Sequence, residues 1–321
     1  MLSRSAQGLY WMGRYLERAE HLCRLLRLQT EALVDRPVEE IYFGWKRIYG
    51  SMRRQPPLGV IELDSDEYTL ADSYTLADDL TFERANPDSV WSCFALGREN
   101  ARQMRNCISA EMWTHLNLAY LRIQQLDIQK IWRVSPENFY SETAAEIDTF
   151  AGVAEATMYR DEGWEFLQLG RVIERSQLLI ALLLFQLDVE KEVEEDSDPD
   201  WTTLLRAYHA FEAYNRKYSV EVQSGQVLDL LVTDPLIPRS LSRTLDMMAA
   251  NLASLGDGSD ERSGGEAQRL GGRLGALVHY DWPDAEDHRG LLKRVREHCR
   301  ELHGLVTSAY FEYAIEDFPV R

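Results

Sequence analysis

The sequence is poor in the residues that make turns, with 10 prolines and 19 glycines among its 321 residues. A fold of many short strands needs more turn residues than this, and no segment alternates apolar and polar residues over the length of a strand. Hydrophobic residues make up 45% and charged residues 27% of the chain, a mixture that is typical of a soluble globular protein and excludes intrinsic disorder. The composition therefore predicts an all-α protein.

Cysteines and long apolar runs are also scarce. The four cysteines form no C-x-x-C pair, which fits a reducing compartment better than a disulfide framework. The longest apolar run, Leu178 to Phe185, is about a third of the length that a membrane-spanning helix needs. Residues 1–14 contain neither the apolar segment nor the cleavage site of a secretory signal. We expect a cytoplasmic protein without a membrane-bound segment.

Basic residues are in the minority, with 35 Lys and Arg against 53 Asp and Glu, which gives a formal net charge of −18. So acidic a surface repels phosphate backbones and anionic lipids, and we expect no nucleic-acid or membrane partner. The acids concentrate in residues 188–200, which form the clearest linker of the chain. We expect a single helical domain over residues 1–321, with internal halves 1–187 and 201–321 as a further division around this linker.

Apolar residues recur at three- and four-residue steps along much of the chain, which is the period of a buried helix face. A long first helix is expected at 3–35, ended by Arg36-Pro37. Further helices are expected at 38–52, 90–111 with helical character continuing to about 131, 136–160, 164–187, 201–219, 239–255 and 289–315. A tandem echo, Tyr68-Thr-Leu-Ala-Asp followed by Tyr74-Thr-Leu-Ala-Asp, indicates a helix or a loop, and residues 254–265 are expected to form a flexible loop.

Established catalytic motifs are missing. The chain lacks the G-x-x-x-x-G-K-[ST] phosphate loop, the G-x-S-x-G elbow, the H-E-x-x-H zinc motif and the Glu-x-x-His spacing of di-iron bundles. Some pairs four residues apart resemble metal or nucleophile sites, but we interpret them as helix-stabilising or packing pairs: Glu17/His21, Glu111/His115 and Cys299/His303. We therefore expect no cofactor and no metal, and the sequence identifies no catalytic residue.

One six-residue motif occurs twice, each time after apolar residues. Gly13-Arg14-Tyr-Leu-Glu17-Arg18 matches Gly170-Arg171-Val-Ile-Glu174-Arg175, and the shared pattern is Gly-Arg-x-[Leu/Ile]-Glu-Arg. A glycine inside a helix costs about 1 kcal/mol relative to alanine, so both glycines predict the close approach of another backbone. The expected architecture is an elongated bundle in which two long helices carry the two copies.

The motif arginines can be interpreted in two ways. Two arginines four residues apart repel each other unless an anion or a carboxylate lies between them. In the structural interpretation, each motif glutamate neutralises the arginines of the other copy and fastens the two helices together. In the alternative, the arginines bind a carboxylate or a phosphate, and a motif glutamate is a candidate base. The candidate residues are Arg14, Glu17, Arg18, Arg171, Glu174, Arg175 and, from a fainter third relative at Gly97, Arg98 and Glu99.

The opening segment Leu2-Ser-Arg-Ser-Ala-Gln-Gly-Leu-Tyr-Trp-Met-Gly-Arg-Tyr-Leu-Glu-Arg-Ala-Glu20 resembles the bacterial alpha-E family of helical proteins, which is named for an E-R motif. The similarity continues in segments 86–102, 108–113, 166–176 and 234–240, but not through 60–80 or the acidic stretch before Asp200. The resemblance implies an ATP-grasp protein and a transglutaminase-like protein as partners, in an ATP-dependent amide-bond or peptide-modification system. It supplies no catalytic residues.

Two function hypotheses from different classes follow. The first is a non-catalytic helical accessory or scaffold protein that works with an ATP-grasp peptide or amide ligase. The alternative is an enzyme subunit, a transferase or a ligase, that binds a carboxylate or phosphate at the arginine cluster. A dimeric structural protein without a ligand is a third hypothesis, and with it comes the expectation of a homodimer.

Overall fold

In the computed structural model, the described residues are 1–57, 59, 66–190, 200–218, 221–256 and 263–312. These residues form helices and no strand, which confirms the all-α prediction. The α-helices, in chain order, are α1 Ser3–Asp35, α2 Val38–Met52, α3 Asp66–Thr81, α4 Val90–Gln103, α5 Ala110–Ile123, α6 Ile128–Val134, α7 Pro136–Thr157, α8 Glu162–Glu190, α9 Trp201–Ala207, α10 Phe211–Lys217, α11 Ser224–Thr233, α12 Leu241–Gly256, α13 Ser263–Ala276 and α14 His288–Tyr310. A π-helical turn, Leu277–Asp281, follows α13.

The two longest helices, α1 and α8, lie against each other and organise the fold. α1 also packs on α4 and α7, while α8 packs on α2, α12 and α14. α1 ends where the sequence predicts, because Arg36 adopts the extended conformation that a following proline favours. α2 also matches its predicted range.

The predicted end of the helix 90–111 is wrong, because α4 stops at Gln103, and the helical character predicted as far as about 131 belongs to two further helices with separate caps. Ser109 accepts a hydrogen bond from the backbone N–H of Met112 and starts α5, and Asp127 caps α6 through the N–H of Lys130. The predicted helix 201–219 is likewise divided into α9 and α10. His209 lies between them with a left-handed φ of 54°. Residue 219 lies outside the described residues.

α3 contains the tandem echo, so of the two alternatives predicted for it the helix is correct. Two helices were not predicted: α11 lies in a region without a prediction, and α13 begins at Ser263, inside the predicted loop 254–265. α12 extends to Gly256, and residues 257–262 of that loop lie outside the described residues. α8 continues to Glu190, so residues 188–190 of the predicted linker are helical, while residues 191–199 lie outside the described residues.

The buried apolar side chains form one core to which α1, α8, α12 and α14 all contribute. α8, from the first predicted half, packs on α12 and α14 of the second. The division into halves 1–187 and 201–321 stays a prediction. In the described part of the chain, no helix combines the length and the apolar character that crossing a bilayer requires.

Candidate functional site

α1 and α8 approach most closely at the two motif glycines. A Cβ atom on Gly13 would lie 2.3 Å from the carbonyl oxygen of Leu167, and one on Gly170 would lie 2.0 Å from the carbonyl oxygen of Tyr10. Both distances are far shorter than any carbon–oxygen contact in a folded protein. Since the opposing atoms are backbone, no side chain can turn away to make room. Glycine is therefore required at both positions by the packing of the helices.

Glu174 of α8 receives two arginines from α1. Arg14 Nε donates to Oε2 at 2.6 Å, and Arg18 Nε donates to Oε1 at 2.7 Å. Arg18 also donates to Asp88, just before α4. The Glu174 side chain is 3% exposed, so the two guanidinium groups replace most of its hydration.

Glu17 of α1 receives arginines from α8 in return. Arg175 donates to both carboxylate oxygens, at 2.6 and 2.8 Å, in the bidentate geometry that suits a guanidinium group. Arg171 Nε lies 3.6 Å from Oε2 and forms a looser ion pair. The glutamate of each motif thus contacts both arginines of the other motif, as in the structural interpretation.

A further arginine, which lies outside both copies of the motif, joins this group from the segment before α12. Arg239 donates to both oxygens of Glu20 at 2.9 and 3.0 Å, to Glu17 at 3.2 Å and to Asp148 of α7 at 3.3 Å. Arg239 lies in segment 234–240, which carries part of the family resemblance, but no spacing in the sequence connects it to α1. We call the group the ion-pair lattice: Arg14, Glu17, Arg18, Glu20, Arg171, Glu174, Arg175 and Arg239.

The electrostatics of the lattice keep its glutamates ionised. Burial alone would raise the pKa of Glu17, but the charges of Arg175, Arg239 and Arg171 outweigh it and hold that pKa well below its ordinary value. The pKa of Glu174 is lowered in the same way, against burial, by the charges and hydrogen bonds of Arg18 and Arg14. A carboxylate that binds protons this weakly is a poor general base near neutral pH. The geometry therefore disfavours Glu17 and Glu174 as catalytic bases.

One edge of the lattice is aromatic. Arg14 lies over the ring of Trp11, 4.7 Å from its centroid, and its Nη1 is 3.2 Å from Nδ1 of His303. Tyr10 donates its hydroxyl to the same Nδ1 at 2.8 Å. Burial and the charge of Arg14 lower the pKa of His303. Nδ1 is the acceptor in the contact with Arg14, because a guanidinium group carries only donors. His303 therefore belongs to the packing around Arg14.

The buried cysteines Cys23, Cys93 and Cys299 are not activated as nucleophiles, because burial raises the pKa of each thiol. Cys299 is fully buried, and its nearest polar contact is the hydroxyl of Ser176 at 3.7 Å. Burial raises the pKa of Cys299 and of Cys93 to about 12, so both remain protonated thiols.

The third motif relative lies elsewhere. Arg98 of α4 donates to Asn117 at 3.0 and 2.7 Å and stacks near Trp113 and Tyr120, while Glu99 pairs with Arg102 on the surface. The structure therefore does not bring Arg98 or Glu99 to the lattice.

The four-residue acid–histidine pairs do not come together as ligands. Glu17 is held by arginines, and His21 lies beside Tyr208, whose hydroxyl is 3.5 Å from its Nδ1. His115 contacts the backbone carbonyl of Glu146 at 2.8 Å. No group of three His, Cys, Asp or Glu side chains suited to a metal ion occurs within the described ranges.

Fold and site together define an all-α protein whose two longest helices cross at paired glycines and exchange buried arginine–glutamate ion pairs. A family model described as a predicted alpha-helical domain with a conserved ER motif matches residues 1–311. The chain belongs to this family, Alpha-E, and the membership predicted from the opening segment is confirmed.

Three curated proteins from mycobacteria are similar to the chain. Uncharacterised proteins of Mycobacterium bovis and of two strains of Mycobacterium tuberculosis are each 26% identical to it over 266 residues. The match covers 78% of this chain but 30% of each relative, so the chain spans less than a third of their length. No solved structure matches the chain.

Proposed function

We propose that this chain is a non-catalytic helical scaffold that works with an ATP-grasp-type peptide or amide ligase. The observation that carries the proposal is the mutual neutralisation of the motif side chains in the ion-pair lattice. The residues most able to do chemistry are bonded to one another across α1 and α8, and their glutamates bind protons too weakly to act as bases. Such residues fix the relative position of two helices and the surfaces beside them.

The length of the mycobacterial relatives supports a role in which this chain works together with another protein or domain. A region similar to this chain makes up 30% of each mycobacterial relative, so in those proteins it is joined to a much longer polypeptide. Such an arrangement is typical of an accessory domain and its larger partner, which can be parts of one polypeptide or two separate polypeptides. The ATP-grasp and transglutaminase-like partners themselves follow from the family resemblance and are part of the proposal.

The proposal is tested by purifying the tagged chain from its native cells and identifying co-purifying proteins by mass spectrometry. We expect recovery of an ATP-grasp or transglutaminase-like protein, and a stable complex when the purified partner and chain are mixed at micromolar concentration and low salt. The ATPase activity of the reconstituted complex should change when the chain is added. If no ATP-grasp protein of the same genome binds under these conditions, the proposal is wrong.

Arg14→Ala distinguishes the scaffold from the alternative enzyme subunit. In the scaffold, the substitution leaves Glu174 with one arginine in a buried site, and the free energy of unfolding should fall by about 3 kcal/mol. In an anion site, the same substitution relieves repulsion among arginines and leaves stability unchanged or raised while ligand binding is lost. Chemical denaturation of the purified chain gives the answer without the partner.

A further inference from the structure

A second group of arginines lies beside the lattice, in a cleft between α1, α2, α8 and α14. The cleft has a volume of about 220 Å³. Pockets for drug-sized molecules have volumes of about 300–1,000 Å³, so this smaller cleft best fits a small ligand. We call it the arginine cleft, after the four arginines that line it: Arg18, Arg53, Arg296 and Arg300.

Three of these guanidinium groups have no carboxylate partner in the part of the chain that the structure describes. Arg18 bonds Asp88 and Glu174, but Arg53, Arg296 and Arg300 form no ion pair with any residue that the structure describes. Arg296 Nε is buried and makes no hydrogen bond to the described part of the chain. Arg296 and Arg300 are one turn apart on α14 and repel each other. A group of like charges with an unsatisfied buried donor is the arrangement that a bound anion would complete.

The described acids at the cleft do not cancel this charge. Asp88 and Glu174 line it, but Asp88 accepts from Arg18, and Glu174 accepts from both Arg18 and Arg14. Asp188, at the end of α8, pairs with Arg289. Burial and the neighbouring charges of Arg53 and Arg300 lower the pKa of Arg296, against the weaker opposite influence of Glu297 and Asp188. The cleft is thus locally positive on a chain whose formal net charge is −18.

The backbone at Arg53 gives independent support. Arg53 follows the last residue of α2 with φ 54° and ψ 40°, the left-handed conformation in which helices usually carry glycine or asparagine. An arginine has a conformational cost there, and nothing in the described contacts of its side chain offsets that cost. Strain of this kind is characteristic of residues whose side chain has a role in binding.

We propose that the arginine cleft binds a phosphoryl group, either as free phosphate or as the phosphate of a small molecule. Three guanidinium forks suit the several oxygens of a tetrahedral dianion, whereas one carboxylate would neutralise only one of them. Leu178 and Ala181 supply an apolar wall against which a short organic group can pack. The site is a property of the chain alone and does not depend on the proposed ATP-grasp partner.

The test is calorimetric titration of the purified full chain with inorganic phosphate and pyrophosphate, and with malonate as a dicarboxylate comparator. Ionic strength is matched with sodium chloride, because exposed arginines are screened by salt. We expect saturable binding of the phosphates at one site per chain and weaker binding of malonate. A glycerol phosphate titration then separates the two phosphate sources, since tighter binding than inorganic phosphate indicates a phosphorylated small molecule.

Two variants localise the site and a third controls for charge. Arg53→Gly removes a cleft cation at a position where glycine is favoured, so the variant should fold, and Arg300→Ala changes an exposed side chain. Each should weaken phosphate binding about tenfold or more, the effect of losing one charge-assisted contact. Arg294→Ala, exposed on the same helix but outside the cleft, should leave binding unchanged. Absence of saturable phosphate binding, tighter binding of malonate, or equal weakening by Arg294→Ala would overturn the proposal.

Discussion

The ion-pair lattice and the arginine cleft share Arg18 but differ in how their positive charge is balanced. In the lattice, buried glutamates lie within hydrogen-bonding distance of arginines from the opposite helix, as in the pair of Arg175 with Glu17. In the cleft, Arg53 and Arg300 are exposed and have no carboxylate partner among the described residues. Arginine therefore forms buried ion pairs between helices in the lattice and is a candidate ligand-binding residue in the cleft.

The difference shows why an arginine-rich motif does not by itself indicate a ligand site. A buried ion pair adds little net stability over an apolar pair, because desolvation offsets the attraction, but the loss of one partner leaves a costly uncompensated charge. In the lattice every motif arginine contacts a motif glutamate, so an external anion would compete with groups that are already in place. In the cleft no such competitor is bonded to Arg53, Arg296 or Arg300 within the described structure.

The largest effect is expected from removing a lattice carboxylate. Glu174→Gln keeps the shape of the side chain but leaves Arg14 and Arg18 without their buried counter-charge. The free energy of unfolding should fall by about 3–5 kcal/mol, since an uncompensated buried charge is costly. Urea denaturation followed by circular dichroism measures the change.

The matched control is Glu31→Gln on α1, the helix that supplies Arg14 and Arg18 to Glu174. Glu31 pairs with Arg27 at 3.0 Å, but its side chain is 42% exposed. Its replacement should change the free energy of unfolding by about 0.5 kcal/mol or less, since exposed ion pairs contribute little. Equal effects of the two substitutions would show that the lattice is not a buried, mutually dependent unit.

The next largest loss in the free energy of unfolding is expected from a substitution at the crossing of α1 and α8. Gly13→Ala places a Cβ against the carbonyl oxygen of Leu167, and the helices must separate or shift, which stretches every ion pair between them. We expect a loss of about 1–3 kcal/mol in the free energy of unfolding, the usual cost of overpacking. Denaturation of the variant measures it.

Gly152→Ala in α7 makes this test specific to the crossing. Apart from the backbone of α7 itself, no atom of the described residues lies within 4 Å of a Cβ built at Gly152, so alanine should stabilise that helix by about 0.5–1 kcal/mol. The two glycine substitutions should thus have opposite signs. A stabilising Gly13→Ala would mean that the helices do not approach as closely as the structure places them.

The sequence predicts the part of the lattice that lies within two helices, because periodicity places the motif residues on helix surfaces and a helical glycine predicts a close approach. It does not predict Arg239, whose contact with Glu20 joins residues that are far apart in the chain and carry no common motif. The arginine cleft was missed for the same reason, since Arg53 ends one helix while Arg296 belongs to another. Helix ends set by a single capping serine, such as Ser109, were also missed within a continuous apolar pattern.

Lowering the pH should reduce the free energy of unfolding through the protonation of His21 and of the lattice glutamates. The arginines of the cleft stay charged over the same pH range. Burial and the charge of Arg24 hold the pKa of His21 well below its ordinary value of 6.5, so the unfolded chain takes up this proton first. Stability should therefore fall as the pH drops below about 6.5, with a contribution of up to about 1.4 kcal/mol per pH unit from this group. The lowered pKa values of Glu17 and Glu174 add a second loss below about pH 4.5, where the carboxylates of the unfolded chain become protonated.

Denaturation at a series of pH values measures both losses. His21→Gln should reduce the slope between about pH 6.5 and pH 4.5 whatever its effect on absolute stability, and should leave the loss at lower pH in place. A variant with the wild-type slope would show that His21 is not the group responsible.

The smallest effect is expected from a substitution in the third motif relative, at Glu99. This substitution tests whether only the two full copies of the motif contribute to the ion-pair lattice. Glu99 pairs with Arg102 at 2.6 Å on the surface of α4, and hydrogen bonds from Arg102 and Gln103 lower its pKa to about 2. Its side chain is 39% exposed, so water screens the pair, and Glu99→Gln should change the free energy of unfolding by about 0.5 kcal/mol or less. A loss as large as that of Glu174→Gln would mean that Glu99 belongs to the buried network. A small loss that disappears at high salt would identify an ordinary surface ion pair. The Gly97-Arg98-Glu99 segment would then resemble the motif in sequence only, without taking part in the ion-pair lattice.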